Sequence, residues 1–332
     1  MKRFMRISVG IFISLLALGV SRAAPARELT FNTYQPATHY LVAVFKQFIA
    51  DVEKESQGSL KIVLYPGATL TKANGVFDGL INGVSDIGFS SNGYNPGRFP
   101  LMEVTDLSFT GVKSSERMSQ ITWDTYKRFR PKEFDKIKLL GVVNMARSGV
   151  NSNIPITRLA DLKGQRIRGT GNDVDIVKAL GATPVAMPIT DAYVALQKGI
   201  ADGILANYPA MKAFKLGEVA KTSLEFFFRQ TTFWYGMSPK TYNSLTPDQQ
   251  KIMTDLGEKY VRLLGAAVDA QDKASRDWMT SIGHRYTTLA PGEAEKWEAA
   301  LKPTFDKYIS DKSAMGLPAR EAVDFVRSEI KK

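Results

Sequence analysis

The chain has no cysteine and only two histidines, His39 and His284, among its 332 residues. Without thiols there is neither a disulfide framework nor a thiolate metal site, and any metal would be held by carboxylates almost alone. Catalytic signatures are missing too. G-x-S-x-G and H-E-x-x-H do not occur, and the S-x-x-K that is present, Ser328 to Lys331, falls in the tail. The chain therefore reads as a binder and not an enzyme, with no cofactor and no metal expected.

Long apolar runs are confined to the start. Lys2, Arg3 and Arg6 precede an apolar stretch from Ile7 to Val20, too short to span a bilayer comfortably, and Ser21 and Ala23 supply small residues for cleavage. Residues 1–23 are expected to be a signal peptide, giving a periplasmic protein. The lack of cysteine removes any lipid-modified N-terminus, so the mature chain is expected to be untethered. Processing removes Lys2, Arg3, Arg6 and Arg22 and no acid, so the net charge falls from +11 to +7. The remaining basic residues mix with acids, as in "DVEKES", which argues against nucleic acid and for small anions.

Short apolar segments, "ELTFNTY", "LKIVLYP", "SDIGFSS", "IKLLGVV", "QRIRG", "TPVAM" and "DGILA", alternate with helical patterns, which is the signature of an α/β fold. "VFDGLINGVSDIGFS" and "AYVALQKGIADGILA" repeat one unit of helix, glycine, aspartate and strand, with Gly83 and Asp86 matching Gly199 and Asp202. Each glycine reads as a helix C-cap, and the pair suggests two similarly built lobes. Thr246, Pro247 and Gln249 open a long helix whose apolar positions recur at helical spacing, long enough to lie across both lobes.

The stretch "KGQRIRGTGNDVDIVKAL" places a glycine-rich loop between a strand and a helix. A dinucleotide fingerprint needs G-x-G-x-x-G, but Val174 stands where the third glycine belongs. The arginine before the loop carries more meaning. Arg168 ends its strand where α/β sheets present groups to a ligand crevice, and alternation puts Arg166 on the same face. A guanidinium takes a carboxylate through two parallel hydrogen bonds.

The block "LADLKGQRIRGTGNDVDIVKALGATPVAMPITDAYVALQKGIADGILANYP" resembles the solute-binding proteins of tripartite ATP-independent periplasmic (TRAP) transporters, the DctP family. Those chains read L-K-G-x-K-I-R, then L-G-A-x-P-x-x-M-P, then Y-x-A-L-Q-x-G-x-x-D-G. The likeness extends from "KIVLYPGATL" through "PGRFPLMEVTDLSF" to "MSPKTYNSLTPDQQK". It implies a two-lobed, periplasmic-binding-protein-like α/β fold with a hinge. It also implies a small organic acid as ligand and an ion-driven membrane permease as partner.

The same resemblance puts the carboxylate-gripping arginine at Arg168, a second arginine at Arg147 and a polar contact at Asn207. Ile189 stands where many relatives have an aromatic. Aromatic supply is expected instead from Phe233, Trp234 and Tyr235, and from Tyr94, and polar contacts from Ser91, Asn92 and His39 at strand-to-loop junctions. The expected division is lobe one over 27–145 plus 235–272 and lobe two over 146–234 plus 273–332, in a monomer. The alternatives are a binding protein of an ATP-driven importer or sensor, and an enzyme on a similar fold.

Overall fold

The computed structural model describes residues 26–332 apart from Thr110, Lys113 and Asn172, and the expected signal peptide lies outside the described residues. The strands are β1 (Arg27–Thr33), β2 (Leu60–Tyr65), β3 (Ile87–Ser91), β4 (Lys138–Asn144), β5 (Gly149–Ser152), β6 (Arg166–Gly169), β7 (Thr183–Ala186), β8 (Gly203–Ala206), β9 (Thr222–Leu224), β10 (Thr232–Met237) and β11 (Arg285–Thr287). The α-helices are α1 (Tyr40–Glu55), α2 (Val76–Ile81), α3 (Ser115–Phe129), α4 (Asp173–Ala179), α5 (Ile189–Gln197), α6 (Tyr208–Ala213), α7 (Pro239–Asn243), α8 (Pro247–Ser281), α9 (Glu293–Ala314) and α10 (Ala319–Ile330).

The strands pair into two sheets, ordered β2-β1-β3-β10-β4 and β11-β9-β5-β8-β6-β7. Within each, the βα units that read as a repeat do the same job. Gly83 and Gly199 follow α2 and α5 with φ of +73° and +66°, a conformation that costs glycine little. Three residues on, Asp86 accepts the backbone N–H of Thr30 at 2.8 Å and Asp202 that of Arg166 at 2.9 Å. Each carboxylate thus ties the start of its strand to the parallel neighbour, β3 to β1 and β8 to β6.

Two segments carry the chain between the sheets. It leaves β4 through 145–148 into β5 and returns through 229–231 into β10, which inserts antiparallel between β3 and β4. The two crossings run side by side, with Met145 N–H donating to Thr231 O at 2.9 Å and Ser148 N–H to Arg229 O at 2.7 Å. The long helix is the third connection. Its capping box of Thr246 and Gln249 is formed, and its 35 residues rise about 52 Å. Leu256, Tyr260, Leu264 and Val268 pack into the core under the first sheet, whereas Met279 packs with Ile204 and Met211 of the second.

Two parts of the chain sit elsewhere than the expected lobe division puts them. Thr232, Phe233 and Trp234 pair with β3 and β4 and so belong to the first sheet. The C-terminal helix α10 turns back to the first-sheet side, burying Ala322, Val323 and Val326 against Leu101, Met118 and Ile121.

Candidate functional site

Where the ends of both sheets face each other, a cleft is lined from one side by Tyr34, His39, Tyr40, Ser91, Tyr94 and Phe233. The other side supplies Arg168, Ile189, Leu205, Ala206, Asn207 and Phe214. The position follows from topology. Ser91 ends β3, Arg168 lies near the end of β6 and Asn207 follows β8, so the cleft gathers the carboxyl ends of parallel strands, where open α/β sheets bind ligands.

Arg168 is only 4% exposed. Its Nε and Nη2 donate to the Met187 carbonyl at 3.0 and 2.7 Å, which fixes the plane of the guanidinium. No carboxylate pairs with it among the described residues. Burial pushes its pKa down, opposed by the neighbouring Tyr94 and Tyr34 phenols. A buried cation without a paired anion is costly unless one joins it. The surroundings add donors: the Tyr34 hydroxyl has no hydrogen-bond partner among the described residues, and its ring meets the Tyr94 ring edge-on at 5.3 Å. Arg166, one alternation away, is exposed and pairs with Asp202 at 2.7 Å, so it is a surface ion pair.

Five of the other expected residues line this cleft. Tyr94 accepts the Ile189 N–H at 3.4 Å, a contact between the two sides. Asn207 caps α6 through its Oδ1, which accepts the Ala210 N–H at 2.8 Å. The Ser91 hydroxyl accepts the Gly93 N–H at 3.2 Å. Phe233 stacks on Phe89 with centroids 5.3 Å apart. His39 caps α1, its Nδ1 accepting the Leu41 N–H at 3.2 Å.

Four expected residues lie elsewhere, among them Tyr235, which is buried in the core under the first sheet with its hydroxyl donating to the Gly257 carbonyl. Trp234 points to the opposite face of β10 from Phe233 and is buried against Phe77 and Phe99, because successive strand residues alternate sides. Asn92 is buried beside the cleft without lining it, and neither of its amide atoms has a partner among the described residues. Arg147 turns out of the cleft at the first crossing, lying over the Phe227 ring at 5.3 Å in a separate depression with Asp269 and Asp272. Its neighbours Met145 and Ser148 face the cleft instead.

Tyr34, Gln35, Tyr40 and Phe214 were missed. Tyr34 and Gln35 directly follow a strand, which was the available signal; Phe214 follows a short helix and carried none. The glycine-rich loop also has a role. Gly171, at φ +54°, comes so near Gly93 that a β-carbon on it would lie 2.8 Å from the Gly93 Cα. Asp173 lines the cleft but is neutralised by a buried ion pair with Arg229 of the returning crossing. The uncompensated charge in the cleft is therefore that of Arg168.

Residues 31–311 match the family of bacterial extracellular solute-binding proteins, family 7 (DctP), and the chain belongs to that family. Among solved structures, a TRAP solute-binding protein from a marine metagenome, specific for aromatic acids and bound to 3-hydroxybenzoate, superposes with a TM-score of 0.87. It is 28% identical, over 92% of this chain and 98% of that one. The protein of Rhodoferax ferrireducens with copurified benzoate is 26% identical at a TM-score of 0.87, over 92% and 98%. That of Bordetella bronchiseptica with bound (R)- and (S)-mandelate is 27% identical at 0.86, over 92% and 99%. The two-sheet architecture is thus the two-lobed fold of TRAP solute-binding proteins, and the chain is a solute-binding protein of that class. No helix among the described residues is long and apolar enough to cross a membrane.

Proposed function

We propose that this chain is an exported periplasmic receptor that captures a small aromatic monocarboxylate between its lobes and hands it, unaltered, to a TRAP permease. The observation that carries the reading is Arg168, a buried guanidinium held by Met187 and paired with no carboxylate among the described residues. Among the described residues it is the one arginine lining the cleft, and no lysine joins it. One fixed cation suits one carboxylate, and a dicarboxylate would leave its second charge among apolar walls at high cost. Phe233, Phe214, Tyr40, Ile189 and Leu205 offer those walls to a flat ring. Three relatives of the same architecture carry benzoate, 3-hydroxybenzoate or mandelate, which supports the same ligand class here. The cleft is complete within one chain, so the receptor works as a monomer.

The test is a thermal-shift screen of benzoate, hydroxybenzoates and mandelate against succinate and pyruvate, with mass spectrometry of acid recovered after incubation. The reading expects stabilisation by the aromatic acids and their recovery intact. Stabilisation by succinate alone, or recovery of an altered product, contradicts it.

A further inference from the structure

His39 occupies the first turn of α1, in the cleft wall opposite the second sheet. Its Nδ1 accepts the backbone N–H of Leu41 at 3.2 Å. A ring nitrogen that accepts an N–H holds a lone pair there, so the neutral imidazole carries its proton on Nε2. The tautomer is thus set by the helix cap. The ring is also held in place, stacked on Tyr40 at 4.4 Å and tilted against Phe214 at 6.1 Å, the latter reaching over from the other lobe. Burial keeps it neutral, its pKa lowered to about 3. Nε2 has no acceptor among the described residues, although His39 lines the cleft.

Resting on the aromatic-acid reading, we infer that His39 determines specificity: its Nε2–H, fixed in an aromatic wall, donates to an acceptor on the ring of the bound acid, away from the carboxylate held by Arg168. Carrying a single proton that Nδ1 cannot share, it offers a donor and no acceptor to the ligand. The ligand class it selects is an aromatic acid bearing an oxygen acceptor such as a hydroxyl or oxo group. Arg168 lies with Tyr34 and Tyr94, and His39 packs with Tyr40 and Phe214; in this inference the first group takes the carboxylate and the second faces the substituted ring.

The experiment compares dissociation constants for benzoate, 3-hydroxybenzoate and 4-hydroxybenzoate by calorimetry, in the wild type and in His39→Asn. Asparagine keeps an N-cap acceptor for α1 but cannot place a donor where Nε2 stands. One hydroxy isomer is expected to bind the wild type about three- to tenfold more tightly than benzoate, the worth of one hydrogen bond, and the ratio should collapse toward one in His39→Asn. As a second measurement, 15N-labelled histidine is read by NMR, where there are two rings to assign. The preferred hydroxy acid should shift the His39 Nε2 resonance more than benzoate does, with the Nε2–H tautomer present in both states. A wild type that binds benzoate and the hydroxy acids without preference overturns the inference, as does a preference that persists in folded His39→Asn. Failure of all three acids to bind the wild type would instead contradict the aromatic-acid reading beneath it.

Discussion

Gly171 and Gly93 approach backbone to backbone beside the cleft, so closely that a β-carbon on Gly171 would lie 2.8 Å from the Gly93 Cα. They come from different lobes, so the approach is the seam along which the lobes meet. Gly171→Ala would add a methyl group at a seam with backbone on its far side, on a residue whose φ of +54° disfavours a side chain. The fold should survive, because lobes that stay apart relieve the clash. Small-angle scattering should show the wild type becoming more compact with its acid, as a hinge requires, and Gly171→Ala failing to do so, with affinity at least about tenfold weaker. Wild-type-like compaction in the variant would show that the seam does not control closure.

The buried pair of Asp173 and Arg229 joins the start of α4 to the returning crossing, both side chains being 3% exposed. Burial lowers the Arg229 pKa to about 10 even with Asp106 nearby. Removing one partner strands the other charge. Asp173→Ala should cost about 3–5 kcal/mol of stability, whereas Asp173→Leu with Arg229→Met should cost far less. Urea denaturation of the three proteins checks this. Equal losses in the single and double variants would contradict it.

Burial holds His39 at about 3 and His284 at about 4, below their ordinary value near 6.5. Groups with depressed folded values bind protons more readily unfolded, so the stability they contribute is present above about pH 6.5 and is lost as pH falls toward the folded values. At pH 4.5 His39 alone should account for about 2–3 kcal/mol of loss relative to pH 7.5. Denaturation at both pH values should show His39→Asn losing less than the wild type by about that amount. An identical loss in both would mean that His39 titrates normally.

Much of the fold was legible because local rules were decisive. The glycine and aspartate of each repeated unit make the same cap and the same strand-to-strand tie in both sheets, and the Thr246 capping box opens the long helix as read. Arg168 was legible from its place at a strand end. The misplacements share a cause, since each depends on partners distant in sequence. Both Phe233 and Trp234 are buried, so alternation could not say which faces the cleft until β3 and β4 were known to flank β10. Arg147, Met145 and Ser148 share one crossing, and only the pairing of that crossing with residues 229–231 fixes which of them turn inward. Strands β5, β9 and β11 are three or four residues long, with polar residues buried at Asn151, Ser152, Thr222 and Ser223; they lack the apolar runs that reveal a strand. The return of α10 to the first lobe depends on its packing with Leu101, Met118 and Ile121, which are distant in sequence.

Calorimetric titration of the acid that stabilises the wild type most tests directly whether Arg168 holds the ligand carboxylate. Such a pair would be charge-assisted, and truncation would leave a carboxylate unpaired in a closed cleft. Arg168→Ala should lose about 3–5 kcal/mol of binding, a hundred- to several-thousand-fold in dissociation constant, and Arg168→Lys should recover only part, since a point charge cannot replace the fork. Arg166→Ala, which breaks an exposed ion pair with Asp202, should leave affinity within about twofold. Near-native affinity in a folded Arg168→Ala protein would contradict the account.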